Sequence, residues 1–295
     1  MKKIIVITGP TGTGKTRLSI ELAKKYDGEI INADSTQIYK GMNIATAKVT
    51  EEEKEGIVHH LMDIKSWNED YSIFDYQKDA RKKIEEILKK NKTVIFCGGT
   101  GLYIKAALFD YQFEEEKKYN YDAYSNQELY EELKEKDPNT TIHPNNRKRV
   151  ERALNYIRNH HQTKPTHGKD KLLYDAFIIG LHADREILYE KINQRVDHMV
   201  EDGLLEEAHQ VFTSDIRSKA VLTPIGYKEL FPYFENKETL EDCLDKIKQN
   251  SRRYAKRQYT FFRHQMPINW VEVDYDHFEN TIQAVICKIE KKFEK

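Results

Sequence analysis

The sequence predicts an α/β fold: a parallel sheet flanked by helices on both faces and interrupted by a helical insertion. Three observations carry this. Short, apolar, β-branched runs alternate with amphipathic helical segments, the pattern of successive βαβ units. The first such run, KKIIVIT, opens directly onto the glycine-rich stretch GPTGTGKT and then onto a helix. The alternation lapses over residues 113–168, which are polar, tyrosine-rich and helical in spacing, with no core strand.

Each element follows in order. KKIIVIT is too short and too apolar for anything but a buried strand. Residues 15–25 place Leu18 and Leu22 on one helical face. GEIINAD, residues 28–34, reads as a second strand, and residues 75–92 as an amphipathic helix. TVIFCGGTG, residues 93–101, reads as a third strand ending in glycines. In the insertion, NQELYEELKEKDP and NNRKRVERALNYIRN are helical. YDAFIIGLHAD, residues 174–184, restores a core strand, and REILYEKINQRVDHMVEDGLLEEAHQVF repeats apolar residues at helical intervals. INWVEVD, residues 268–274, is a late strand, and a helical tail follows from His277. The expected division is therefore 1–112 for the first part of the core, 113–168 for the insertion and 169–295 for the second part.

Composition excludes several classes. A net charge of −1 over 295 residues provides no global attraction to nucleic acid, so any such contact must come from local basic patches. Three cysteines, far apart and without a C-x-x-C pair, argue against a disulfide framework or a zinc module and suit a reducing compartment. The first apolar run is too short for a signal peptide, and no run reaches the length of a membrane span. The expectation is a soluble, cytoplasmic protein, monomeric by default, with no membrane partner.

The chemistry starts at Gly9, Pro10, Thr11, Gly12, Thr13, Gly14, Lys15 and Thr16, which match G-x-x-x-x-G-K-[ST] at every fixed position. Backbone N–H groups and a helix N-terminus form an anion cradle there, Lys15 adds a charge, and the Thr16 hydroxyl can hold Mg²⁺. An ATP-hydrolysing protein would also carry an acid at the end of another buried strand. VIFC instead runs into Gly98, Gly99 and Thr100. Asp34 closes the second strand, where a carboxylate can bind metal, act as a base or cap the next turn. Thr100 faces the same crevice by the same logic. Two basic stretches stand out: NNRKRVER, and SRRYAKRQYTFFRH with its interleaved aromatic rings, a combination suited to RNA. The pairs His59–His60 and His160–His161 have no third ligand at a useful spacing and read as ordinary core or surface histidines.

Taken together, these blocks resemble the bacterial tRNA dimethylallyltransferase family. The resemblance runs through GPTGTGKT, INADSTQIYKGMNIATAK, HHLMDI, GGTGLYIKAAL, IHPNNRKRVERAL, PIGYKEL and RRYAKRQYTFFR, in order along nearly the whole chain. It implies a P-loop NTPase-like core and transfer of a dimethylallyl group from dimethylallyl diphosphate to N6 of adenosine 37 beside the tRNA anticodon, assisted by Mg²⁺. It implies Asp34 as base, Thr100 as substrate contact and Lys15 on the leaving diphosphate. It also implies tRNA contacts at Asp34, Ser35, Thr36, Gln37, Thr100, Lys148, Arg149, Arg152, Lys256, Arg257, Gln258 and Arg263, and in residues 223–228. Phe261 stands where family members usually carry Trp, and Glu151 where an apolar residue is usual. The competing readings are a small-molecule kinase, which lacks its strand-end acid here; an adenylate isopentenyltransferase, which has no use for an RNA-binding insertion; and an RNA-binding protein with a vestigial loop, which would not need Lys15, Thr16 and Asp34 intact.

Overall fold

The computed structural model describes residues 4–111, 117, 119–163 and 171–293. The chain divides into two compact units, Met1–Phe109 with Leu172–Lys295, and Asp110–Lys171. The insertion limits expected from sequence, Phe113 and Gly168, lie outside the described residues, as do Lys2 and Lys3 of the first strand run.

In chain order, the elements begin with β1 (Ile4–Thr8), α1 (Lys15–Lys25), β2 (Gly28–Asn32), β3 (His59–His60), α2 (Ile73–Lys89), β4 (Thr93–Cys97) and α3 (Gly101–Leu108). The smaller unit holds α4 (Asn126–Lys136) and α5 (Arg147–His160). There follow β5 (Ala176–His182), α6 (Arg185–Glu201), α7 (Leu204–Thr213), α8 (Lys219–Leu222), α9 (Phe231–Phe234), α10 (Leu240–Gln265), β6 (Asn269–Glu272) and α11 (Phe278–Phe293).

The six strands form one sheet in the order β3-β2-β4-β1-β5-β6, and every pairing is parallel. Both faces are covered, which is why β1 reads as an unbroken apolar run and all five of its residues are buried. Alternate residues serve opposite layers. Ile4 and Val6 share a core with Tyr76, Ile84 and Ile104, whereas Ile5 and Ile7 pack with Leu18, Leu22, Val285 and Ile289. The smaller unit has its own core of Tyr121, Leu129, Leu133, Val150 and Leu154.

Several boundaries differ from the sequence reading for local reasons. The α2 helix starts at Ile73 because Ser72 and Asp75 form a capping box ahead of it. The strand expected to reach Gly101 stops at Cys97, where Gly98 and Gly99 turn the chain into α3. The long helical stretch from Arg185 breaks into α6 and α7 at Gly203, whose φ of 102° lies in the left-handed region. His59 and His60 form a two-residue edge strand, and His60 Nε2 lies 2.7 Å from Glu29 Oε2.

A parallel sheet collects its strand C-termini along one edge. That edge gathers the loop after β1, Ala33–Asp34 after β2, and Gly98–Thr100 after β4. Among the described residues, no helix is long and apolar enough to cross a membrane.

Candidate active site

The loop after β1 has its shape enforced by its neighbours. Gly9 has φ 138°, and a Cβ there would sit 2.5 Å from the Leu181 carbonyl oxygen. Gly14, at φ 78°, immediately precedes α1. The Thr13 hydroxyl turns inward to the Pro10 carbonyl at 2.9 Å, so it shapes the loop from within. Lys15 Nζ donates to the same carbonyl at 2.6 Å. Burial lowers the Lys15 ammonium to about 8, with Arg195 acting in the same direction and Cys97 and Asp34 opposing. Tyr275 donates from its hydroxyl to the Gly12 carbonyl at 3.0 Å and so holds the loop from the C-terminal side.

The ends of β2 and β4 approach closely because Gly98 has no side chain; a Cβ there would lie 2.2 Å from the Ala33 carbonyl carbon. The Ala33 N–H donates to the Cys97 carbonyl at 2.8 Å and the Thr100 N–H to the Ala33 carbonyl at 3.0 Å. The Ser35 N–H then donates to Thr100 Oγ1 at 3.0 Å. Asp34 Oδ1 accepts from the Thr36 N–H at 3.0 Å and the Thr36 hydroxyl at 2.7 Å. Asp34 Oδ2 has no hydrogen-bond partner among the described residues. One carboxylate oxygen is thus held and the other is unpaired.

A cavity of about 640 Å³ joins these parts. Its wall includes Thr11, Gly12, Gly14, Lys15 and Thr16 of the loop, Asp34, Ser35, Thr36, Gln37 and Thr100 at the strand ends, and Thr223, Lys228 and Arg257 from later in the chain. Ile192, Val196, Met199, Ile225 and Ile247 make part of it apolar. The cavity therefore combines an anion cradle, a carboxylate and an apolar wall.

The basic residues expected to meet RNA separate into distinct groups. Lys256, Arg257 and Arg263 are exposed on α10, and Arg257 lies over the Tyr254 ring at 5.7 Å. In the smaller unit, Lys148, Arg149 and Arg152 are exposed on α5 with no ion-pair partner among the described residues. Glu151 nearby is neutralised by Arg147 at 2.7 Å. Gln258, by contrast with Lys256, Arg257 and Arg263, is turned inward. It is only 6% exposed; its Oε1 accepts from the Thr11 N–H and its Nε2 donates to the Gly99 carbonyl, both at 3.0 Å. Its amide thus joins the loop to the end of β4, and the side chain lines the cavity.

Residues 37–265 match the sequence profile described as IPP transferase. The chain belongs to the IPP transferase family. A tRNA dimethylallyltransferase from Anoxybacillus flavithermus is 45% identical over 99% of this chain and 97% of its own length. One from Bacillus subtilis is 45% identical over 92% of this chain and 90% of its own. The solved tRNA isopentenylpyrophosphate transferase from Bacillus halodurans is 38% identical, with a TM-score of 0.76 and coverage of 100% of this chain and 99% of that one. A eukaryotic dimethylallyltransferase acting on tRNA is 30% identical with a TM-score of 0.84, covering 99% of this chain and 79% of its own.

This IPP transferase carries site residues that motif reading passed over. Arg195 lines the cavity and its Nη1 donates to Thr11 Oγ1 at 3.0 Å. Burial lowers its guanidinium while Asp34 opposes. The Tyr254 phenol lies against the Thr100 and Gln258 side chains, and burial, reinforced by Asp34, raises its pKa. A signal for Arg195 was present in the sequence: it falls three residues after Ile192 on the apolar face of α6, where a cation needs a reason to be.

Proposed function

We propose that this IPP transferase transfers the dimethylallyl group of dimethylallyl diphosphate to N6 of adenosine 37 in tRNA and releases diphosphate. The observation that carries the reading is the single cavity in which the phosphate loop meets a carboxylate with one unpaired oxygen. Such a site suits a reaction that expels an anion and removes a proton from the incoming nucleophile.

The chemistry balances as follows. The C–O bond of the donor breaks and its electron pair leaves with the diphosphate. The exocyclic amine of the adenine forms the new N–C bond and gives one proton to Asp34 Oδ2. Lys15 and Arg195, with the loop N–H groups, take up the charge of the leaving diphosphate. Thr100 and Ser35 fix the edge of the acceptor site, and Asp34 to Gln37 face the flipped base. The apolar wall of Ile192, Val196 and Met199 excludes water from the electrophilic carbon.

The residues fit a magnesium ion. The Thr16 hydroxyl lines the cavity on the first turn of α1 and has no hydrogen-bond partner among the described residues. Mg²⁺ held by Thr16 would supply charge neutralisation of the diphosphate. Lys148, Arg149 and Arg152 in the smaller unit, and Lys256, Arg257 and Arg263 on α10, would contact the tRNA backbone, acting in a monomer in the cytoplasm.

The test offers unmodified tRNA or free adenosine monophosphate together with labelled dimethylallyl diphosphate or ATP, and maps the product by mass. The expected product is tRNA carrying one dimethylallyl group on the adenosine 3′ of the anticodon. Phosphate transfer from ATP would establish a kinase instead, and preference for the free nucleotide would establish an adenylate isopentenyltransferase.

A further inference from the structure

Glu207 is a carboxylate on the buried face of α7, 9% exposed, between Leu204 and Val211. It forms no direct ion pair among the described residues, and Lys48 acts on it only electrostatically, without contact. Its charge is met instead by backbone amides: Oε2 accepts from the Asn43 N–H at 2.8 Å, and Oε1 accepts from the Ala45 N–H at 3.0 Å. Both oxygens lie within 3.0 Å of the Ile44 N–H. Oε1 also accepts from the Tyr227 hydroxyl at 2.8 Å. Placing an ionised group here is costly unless every such bond is made, and the bonds made all converge on two segments of the cavity wall.

The first segment contains Ala45, Thr46 and Ala47, which line the cavity. It is tied to the strand end by Gln37, whose Nε2 donates to the Thr46 carbonyl at 3.0 Å and the Ala47 carbonyl at 3.1 Å. Gln37 lines the cavity three residues after Asp34, and its Oε1 has no partner among the described residues. The second segment contains Thr223, Pro224, Ile225 and Lys228, and Tyr227 is its fully buried anchor. The two segments also touch directly, since a Cβ on Gly226 would lie 3.1 Å from that of Ala45.

We infer that Glu207 is a positioning residue for the acceptor base: through the amides of residues 43–45 and the Tyr227 hydroxyl it holds the part of the cavity wall that orients Gln37. The inference rests on the proposed transfer to a tRNA adenine. Glu207 has no bond to the phosphate loop, so its role separates from diphosphate binding.

The experiment measures transfer by the full chain with each substrate varied in turn, alongside titration with inorganic diphosphate and amide exchange at residues 43–45. Glu207→Ala is expected to raise the KM for tRNA about tenfold through loss of its charge-assisted bonds, and to shift the Kd for inorganic diphosphate by less than about twofold. Exchange at Asn43, Ile44 and Ala45 accelerates. Tyr227→Phe leaves the backbone donors on the carboxylate and is expected to raise the same KM about threefold. Glu206→Ala, on the exposed side of the same helix, leaves both substrates unaffected. Equal losses for tRNA and diphosphate, or an unchanged KM for tRNA in both variants, overturn the assignment. If Glu207→Ala does not fold, Tyr227→Phe decides alone. A wild-type enzyme that fails to transfer the group to tRNA overturns the functional reading and the acceptor role with it, whereas normal wild-type transfer with silent variants overturns Glu207 only.

Discussion

Gln258 accepts the Thr11 amide hydrogen through Oε1 and donates through Nε2 to the Gly99 carbonyl, each at 3.0 Å, so a single side chain of α10 joins the phosphate loop to the end of β4. Its neighbour Arg257 also lines the cavity but is exposed. Adjacent residues of one helix thus differ in setting: one ties the phosphate loop to the sheet and the other faces solvent.

Replacing Gln258 separates these tasks. Gln258→Leu keeps the bulk but leaves the Gly99 carbonyl and the Thr11 N–H unpaired, and the loop loses its anchor. The expected outcome is a fall in kcat/KM for the diphosphate donor of about tenfold or more, with tRNA binding in a filter assay unchanged. A loss confined to tRNA binding would place Gln258 on the RNA surface after all.

Asp34→Asn tests the base. Asn at this position can still accept the two Thr36 bonds through its oxygen, while the amide nitrogen takes the place of the free Oδ2 and cannot receive a proton. Turnover is expected to fall about 10²- to 10⁴-fold, the range for loss of a general base, with the Kd for tRNA nearly unchanged. Near-normal turnover would remove Asp34 from the proton transfer.

Lys15 sets a pH window. Burial brings it down to about 8, so the empty site binds an anion through a group that is half neutral near that pH. Diphosphate favours the charged form, and binding must take up a proton once the pH exceeds the lowered value. Affinity for inorganic diphosphate is therefore flat below about pH 8 and falls above it, by up to about tenfold per pH unit. Lys15→Arg stays charged throughout and serves as the reference for the ligand's own titration. A calorimetric series from neutral to mildly alkaline pH in which the two proteins run parallel would contradict this assignment.

What could be read in the sequence and what could not follows from how each residue reaches the site. Gly9, Gly14, Lys15 and Thr16 are consecutive with a strand and a helix on either side, so their geometry is local and their pattern is unambiguous. Asp34 and Thr100 were found because parallel strands deliver their C-terminal ends to one edge. Arg195 and Tyr254 arrive in the cavity from helices far along the chain, and Glu207 packs behind its wall on the amides of residues 43–45; only the sheet and its helical layers bring them in. Arg195 and Glu207 share the signal of a charged side chain on an otherwise apolar helix face, which periodicity alone reads as an imperfection. The burial of Gln258 was not legible because a helix mixing basic and aromatic residues does not declare which of its faces is packed. Two-residue β3 offers no period at all.

Arg257 is the sharpest probe of the proposed nucleic-acid surface. It is exposed, lines the cavity and lies over the Tyr254 ring, whereas Arg252, on the same helix, is held by Asn193 Oδ1 at 2.6 Å. A guanidinium that neutralises a phosphate releases counterions when it binds, so its removal lowers the salt dependence of binding as well as the affinity. Arg257→Ala is expected to weaken tRNA binding most at low salt and to reduce the slope of log K against log salt by about one. Arg252→Ala, already committed within the protein, is expected to leave that slope unchanged. The measurement is a filter-binding series between about 50 and 200 mM salt. A loss in Arg257→Ala that is the same at every salt concentration would mean that the arginine supports the packing of α10 on Tyr254, and that the phosphate contact lies elsewhere on the helix.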